Sequence, residues 1–581
     1  MMQSRSTSDA TTSGAVSIER WVPGVRALRT YQRSWFRSDV VAGVVLAAIL
    51  VPQGMAYAEL AGLPAATGLY TTIACLVGYA VFGPSRVLVL GPDSSVSPLI
   101  FAAIAPLLAG GDPAMAIALA GMLAVIVGLI EIALGLGKLG FVADLLSSEV
   151  QVGYMNGLGI TIIVGQLPKL FGFPTDADGF VDEVRQFVQH IDQTVTLTLV
   201  VGLAVLATLL LLPRLTTRIP AVLVGVVGAT VASAALGLAD RGVATVGALP
   251  QGVPRPSVPW TSLSDVGPLL VAAVGITLVS LTDTIATATS FAARRGDEVE
   301  PDQEMIGMGA ANIAAGFFGG FAVSTSGSRT AVADQSGAKS QLTGLVGAGI
   351  VAILLLFLNS LLADLPQSAL AAVVIAAALS LMDLKALRHY YRVRRSAFVL
   401  SLVATAGVVL FGVIQGIVIA IVLAVLLFFR RSWWPHGAVL GKVDGLDGWH
   451  DIDTFPAART RSGIVVYRWE APLFFANAGA FRQEVRRLVR DEHPSWLVLQ
   501  CEAITDIDVT ASEMLQELDL ELNATGINMA FAEMRTRVQD LTKRYGLLDT
   551  LDSSHFYPTL ESALAGVGAH LSDDGGTDDH D

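Results

Sequence analysis

Charge is what this chain has least of: Asp, Glu, Lys and Arg make up 15% of its 581 residues, against 53% that are apolar. The mean hydropathy is +0.61. A soluble core has no use for so many apolar runs of about 18 to 25 residues, the length that crosses a bilayer as a helix. The chain is therefore expected in a membrane. Cysteine is nearly missing: Cys75 and Cys501 lie far apart with no redox or metal-binding spacing, which excludes a disulfide framework. No glycine-rich loop ending in Lys-Ser/Thr occurs, so direct ATP drive is not expected. No nucleic-acid signature shows in the charge distribution, and no nucleic-acid partner is expected. The Ser- and Thr-rich residues 1–20 lack an apolar core with a cleavage site and are expected as a disordered tail rather than a signal peptide. The net charge of −13 comes largely from acids in the C-terminal third, ending in an acidic tail over 569–581.

Apolar segments follow an aromatic and basic interfacial stretch, Trp21 to Asp39, almost without pause. The first set runs Val40–Glu59, Thr67–Phe82, Ser94–Leu108, Pro113–Leu134 and Val142–Leu167. An outer amphipathic piece, Asp176–His190, then leads to Thr194–Leu212 and Ala221–Leu238. A Pro-rich stretch, Leu249–Trp260, separates a second set: Val266–Ala292, Glu304–Phe318, Ser326–Ser336, Leu342–Leu362, Pro366–Leu381, Ala397–Phe411 and Gly412–Phe429. Both sets have seven segments, and in each the third is short and preceded by a Gly/Pro/Ser break. Matching short segments in two halves point to an inverted repeat with a midplane site, and an odd number per half forces opposite orientations. The fold class expected is thus a polytopic helical membrane protein of 14 segments in a 7+7 inverted repeat. Its transport domain covers 21–431, with repeats at about 40–238 and 266–429. Connections at Arg86, Lys138, Arg214, Arg294, Arg388 and Arg430 hold far more basic charge than the alternate ones at Lys169, Arg185, Arg241 and Arg255, which puts both termini on the cytoplasmic side.

The chemistry gathers at the two breaks. In Phe321–Thr330 hydroxyls, glycine and one arginine sit at membrane depth, where irregular backbone is tolerated only in protein or along a watery cavity. A short helix starting near Ser326 would aim free N–H groups at that cavity from Ser326, Gly327 and Ser328. Arg329 would add a fixed fork of donors suited to a small oxyanion; the alternative is that the hydroxyls only join helices and Arg329 reaches for the surface. Asp93 and Ser94 occupy the matching break, where Asp93 serves equally well as a helix cap. Gln53 and Tyr57, one turn apart on the first segment, offer an amide and an aromatic wall, or simple packing. Asp283 and Thr287, at i and i+4 in the eighth segment, can hold a proton or Na+, unless Thr282 and Thr284 only bond a neighbouring helix and leave Asp283 at a wet end. Glu131 and Glu149 are read as interfacial. With Arg329 and Asp283 both charged the site is neutral, so a cation bound at Asp283 would restore attraction for an anion.

Val51-Pro52-Gln53-Gly54-Met55-Ala56-Tyr57-Ala58 with Ala61-Gly62-Leu63-Pro64, Phe82-Gly83-Pro84-Ser85-Arg86 with Gly91-Pro92, and Ser326-Gly327-Ser328-Arg329-Thr330 ending in Lys339-Ser340-Gln341-Leu342 together resemble the sulfate permease (SulP) family of anion transporters. The resemblance implies core and gate domains, a substrate held between the two short helices, elevator-like motion and a dimer. It matches Gln53, Tyr57, Ser328 and Arg329 to the family's anion site, and Asp283 with Thr287 to the sodium site of its bicarbonate-carrying members. Those members tend to have a small residue at Arg329, and animal anion exchangers an aromatic at Asp93, so H+ stands beside Na+ as the coupling ion.

Beyond Arg431 the pattern changes class. Strands at Gly463–Trp469, Trp496–Glu502 and Ile527–Glu533 alternate with helices at Ala480–Asp491, Val509–Thr525 and Arg535–Tyr545, an α/β domain with a largely parallel sheet over 432–568. It resembles the STAS domain through Ile507-Asp508-Val509-Thr510-Ala511. In related regulators the residue at Thr510 is phosphorylated; alternatively Asp508 and Thr510 only cap the helix. The function expected is secondary transport rather than catalysis. The cargo is a small oxyanion, sulfate ahead of bicarbonate and then dicarboxylate, moved across the inner membrane with no cofactor beyond a coupling ion. A channel-like conductor and a membrane-anchored STAS signalling protein with a cytoplasmic partner are the competing classes.

Overall fold

The computed structural model describes residues 21–108, 111–140, 147–175, 177, 179–216, 220–547 and 551–574. The expected tails at 1–20 and beyond 574, with Val142 and Asp176, lie outside the described residues. The chain forms two units, Met1–Ala424 and Val425–Asp581.

Each expected apolar segment corresponds to a helix, the first thirteen within the first unit and the last running past Ala424 into the second. These are α1 (Phe36–Leu60), α2 (Ala65–Phe82), α3 (Ser97–Ile104), α4 (Pro113–Leu136), α5 (Ser148–Phe171), α6 (Thr196–Leu215), α7 (Ala221–Leu236), α8 (Leu263–Arg295), α9 (Pro301–Phe317), α10 (Gly327–Gln335), α11 (Leu342–Phe357), α12 (Gln367–Leu381), α13 (Arg395–Phe411) and α14 (Val413–Trp433). Among the described residues six helical stretches have the length and hydropathy to cross a membrane unaided. Boundaries follow local chemistry. Helix α8 starts earlier than expected because Ser262 and Asp265 form a capping box, and ends where Gly296 takes the left-handed conformation. Pro301 opens α9 at a position where its missing N–H costs nothing. Helix α5 starts at Ser148 and runs to Phe171, later than the sequence pattern suggests.

Packing divides these helices into two groups. Helices α1, α2, α4, α8, α9 and α11 pack on one another, while α5, α6, α7, α12 and α13 form the other group. The tightest seam joins α4 to α9. Cβ atoms built on Gly128 and Gly309 would each fall 2.5 Å from the other's carbonyl oxygen, and one on Gly316 would fall 2.5 Å from that of Gly121. Small residues spaced by seven let the two backbones touch, the usual device where no hydrophobic drive exists between helices.

The second unit is built on a six-stranded sheet. Its strands are β3 (Gly437–Lys442), β4 (Trp449–Asp451), β5 (Ile464–Trp469), β6 (Trp496–Gln500), β7 (Asn528–Ala532) and β8 (Phe556–Tyr557), in the order β4-β3-β5-β6-β7-β8. Strands β5 to β8 are parallel, while β3 and β4 pair antiparallel at one edge. Val465, Tyr467 and Trp469 pack with helices α15 (Ala478–Glu492) and α16 (Val509–Asn523), and Ile464 and Val466 face α18 (Leu560–Asp574); a further helix, α17 (Thr536–Arg544), joins the first cluster. Three strands and α18 were not anticipated. Helix α18 also runs to Asp574, which corrects the expected disordered tail from 569.

Candidate functional site

Each break in the helical pattern holds a two-residue strand. Leu90–Gly91 (β1) pairs antiparallel with Ser324–Thr325 (β2), Leu90 opposite Thr325 and Gly91 opposite Ser324. The pair satisfies backbone groups that lipid could not. Thr330 Oγ1 accepts from Val89 N (3.1 Å), Ser326 N donates to Val89 O (3.2 Å), and Thr71 Oγ1 accepts from Phe321 N (3.2 Å). The two short helices α3 and α10 therefore start from one braced ladder.

The approaches to both helices line a cavity of about 490 Å³. Asp93 and Ser94 come from the first break and Thr325, Ser326, Gly327 and Ser328 from the second; Gln53 and Tyr57 of α1 and Asp283 and Thr287 of α8 complete the polar wall. Leu209, Pro213, Pro220 and Val373 supply apolar surface from the other helix group, so the cavity lies between the two groups. Ser326 caps α10 by accepting from Arg329 N at 3.5 Å, and its hydroxyl lies 3.0 Å from that of Ser328. Gln53 is buried, and its Oε1 has no hydrogen-bond partner among the described residues.

Nine of the ten membrane residues singled out from sequence thus meet in one cavity; Arg329 is the tenth. Its side chain is 1% exposed and is not part of the cavity wall. The guanidinium donates from Nη1 to Pro92 O, and Nη2 lies 3.6 Å from Asp93 Oδ2. The expectation of a donor fork open to the cavity is corrected: the ladder folds over Arg329, and its charge meets the cavity through Asp93. Gly91 makes room, since a Cβ there would stand 3.2 Å from Nη1.

Asp93 braces the turn before α3, whose N-cap is Val96 with no side-chain cap bond. Oδ1 accepts from Ser95 N (3.0 Å) and Ser95 Oγ (2.9 Å), while Oδ2 faces Arg329 and the residue lines the cavity. Asp283 is within electrostatic reach of Asp93. Thr284 Oγ1 accepts from Thr325 Oγ1 of β2 at 3.3 Å and donates to the Met308 sulfur of α9 at 2.8 Å. The acidic and basic side chains at the site, among the described residues, are one guanidinium and two carboxylates, beside the Tyr57 phenol.

Three buried acids escaped the sequence reading. Glu131, expected at the interface, is fully buried and accepts from Ser280 Oγ (2.9 Å) and Asn312 Nδ2 (2.8 Å). Asp39, read as the end of an interfacial stretch, is fully buried and accepts from Lys339 N (2.7 Å), Ser340 N (3.1 Å), Ser340 Oγ (2.7 Å) and Thr343 Oγ1 (3.1 Å). Glu304 accepts from Tyr79 OH at 2.6 Å and from Ser85 Oγ. The available signal was the acid itself within an apolar run.

In the second unit Asp508 caps α16 through Ala511 N (2.8 Å) and holds Phe475 N with its other oxygen (2.8 Å). Thr510 sits exposed in the first turn, so capping falls to Asp508.

A helical unit followed by a separate α/β unit agrees with comparison to known proteins. Residues 36–404 match the sulfate permease family and residues 455–563 the STAS domain. The chain belongs to the sulfate permease family. It is 43% identical over 547 residues to the probable sulfate transporter MT1781 of Mycobacterium tuberculosis (strain CDC 1551 / Oshkosh), covering 94% of this chain and 97% of that one. It is 30% identical to the chloroplastic sulfate transporter 4.1 of Arabidopsis thaliana, covering 94% and 82%. Its fold resembles that of murine Slc26a9 in the inward-facing state, with TM-score 0.87, 23% identity and coverage of 98% and 96%. The transmembrane domain of a cyanobacterial bicarbonate transporter, BicA, aligns with TM-score 0.60 and 22% identity over 68% of this chain and 98% of that one. Members of this family are transporters, not enzymes.

Proposed function

We propose that this sulfate permease member is a secondary transporter that binds a small oxyanion, sulfate ahead of bicarbonate and dicarboxylate, together with a coupling H+ or Na+. The observation that carries this reading is the meeting of Ser94 and Ser326–Ser328 on one cavity that also holds Asp283. Hydroxyls and helix N-termini suit an oxyanion, but two carboxylates outweigh Arg329 when all three are ionised. A cation at Asp283 and Thr287 removes that excess negative charge, and by reciprocity the anion then tightens the cation.

The arginine distribution and the two matching breaks support a seven-plus-seven repeat with both termini cytoplasmic in a bacterial inner membrane. Pro213, Pro220 and Ser380 line the cavity at helix ends that this orientation places near the cytoplasm. Alternating access then arises from elevator-like sliding of one helix group past the other, in a dimer, with the STAS unit serving assembly or a cytoplasmic partner. Uptake of labelled sulfate, bicarbonate and fumarate into proteoliposomes, under separate H+ and Na+ gradients, tests the reading. Sulfate accumulation that follows one cation gradient is expected; high conductance with no cation dependence would instead indicate a channel.

A further inference from the structure

Glu131 stands at the centre of a bracket that no role above uses. It lies on α4 and is fully buried. Its Oε1 accepts from Ser280 Oγ at 2.9 Å and its Oε2 from Asn312 Nδ2 at 2.8 Å. Ser280 belongs to α8, three residues before Asp283. Asn312 belongs to α9, and its Oδ1 accepts from Val323 N at 2.8 Å, the residue directly before β2. One carboxyl therefore ties the helix that carries the coupling acid to the strand that leads into Ser326 and Ser328. No charged side chain bonds it among the described residues, so its contribution is the geometry of two hydrogen bonds rather than an ion pair.

We propose that Glu131 is a positioning residue for coupling: through Ser280 and Asn312 it fixes the spacing between the cation half-site on α8 and the anion half-site on β2 and α10. The inference rests on the transport reading above. Two ligands influence each other only through a difference in free energy between states. A rigid link between the half-sites lets a cation at Asp283 change the position of the hydroxyls that meet the anion. Without the link each half-site can relax alone.

An amide preserves the bracket. In Glu131→Gln the carbonyl oxygen still accepts from Asn312, and the amide N–H donates to Ser280 Oγ, whose own proton turns to Thr277 O, already 3.1 Å away. Alanine removes both bonds.

The test is sulfate affinity of the purified full chain at acidic and neutral pH, and with and without Na+, in wild type, Glu131→Ala, Glu131→Gln, Asn312→Ala and Asp283→Asn. If the coupling cation tightens sulfate binding roughly tenfold in wild type, Glu131→Ala and Asn312→Ala should shrink that ratio to near unity while still binding sulfate, and Glu131→Gln should restore it. A wild-type ratio in monodisperse Glu131→Ala overturns the inference, as does a Gln variant that fails like Ala. Should Glu131→Ala not fold, Asn312→Ala decides by the same ratio. Loss of the ratio in Asp283→Asn but not in the bracket variants overturns this inference alone, whereas a ratio retained in Asp283→Asn, or absent from wild type, overturns the coupling reading itself.

Discussion

Arg329 and Asp93 stand 3.6 Å apart, Nη2 to Oδ2, on segments more than 230 residues apart in the chain that the β1–β2 ladder brings side by side. The arginine is sealed in while the aspartate reaches the cavity. The site's positive charge is thus buried beside a carboxylate that itself lines the cavity.

Removing one partner of this pair leaves the other buried and uncompensated. Asp93→Asn and Arg329→Ala should each lower stability by about 3–5 kcal/mol. Their effects on sulfate should be opposite: Arg329→Ala raises KM or abolishes uptake, and Asp93→Asn tightens binding while weakening its cation dependence. The double variant should be more stable than the sum of the single losses predicts. Thermal unfolding with sulfate binding on the four proteins checks this; strict additivity, or near-normal sulfate affinity in Arg329→Ala, would count against the pairing.

Gly91 is held by the same guanidinium. A methyl group there would stand 3.2 Å from Nη1 and 3.3 Å from Cζ. Gly91→Ala should displace Arg329 at a cost of about 1–3 kcal/mol, and Gly91→Val should cost more. Sulfate affinity should fall in the same order. Equal affinity in all three would show that the anion does not sense where the guanidinium lies.

Much of this was legible in the sequence because lipid makes irregular backbone costly. A break at membrane depth had to be buried in protein or line a cavity, and a short helix starting near Ser326 followed from residue type. Side-chain direction was not legible. Arg329 reads as a donor to the cavity until the ladder is seen to close over it, and Glu131 reads as interfacial because its partners, Ser280 and Asn312, are more than 140 residues away in sequence. In the second unit β5, β6 and β7 carried strong apolar runs. Strand β4 covers three residues with none fully buried, and β8 covers two, too short for any periodic signal.

Asp519 gives the second unit a pH dependence with a definite sign. Burial pushes its carboxyl up to about 6, against a smaller opposite pull from Asn523. The folded state therefore holds this proton more tightly than the unfolded state. Its contribution to stability is full below about pH 4 and is lost as pH rises through about 6, on the order of 1 kcal/mol. Asp519→Asn should unfold at higher denaturant at pH 7 and lose that slope. Denaturant melts of the unit at several pH values, read by tryptophan fluorescence, check this; an unchanged slope would refute it.

Every candidate ligand precedes Thr330, so a chain ending near Arg431 should still bind sulfate with an affinity within a few-fold of the full chain, whatever its assembly. Binding to that fragment after confirmed monodispersity is the check. Its loss would place part of the site in the STAS unit.

The central claim is that a cation at Asp283 lets the anion bind and drives its accumulation. Asp283→Asn keeps a neutral, protonated-like group but has no proton to exchange. The direct measurement is labelled-sulfate accumulation in proteoliposomes under an imposed H+ or Na+ gradient, wild type against Asp283→Asn, with sulfate binding measured on the same protein. The account predicts that wild type concentrates sulfate, while Asp283→Asn binds it and equilibrates it without concentrating it. A variant that still concentrates sulfate with unchanged cation dependence would contradict the account and remove Asp283 from the mechanism.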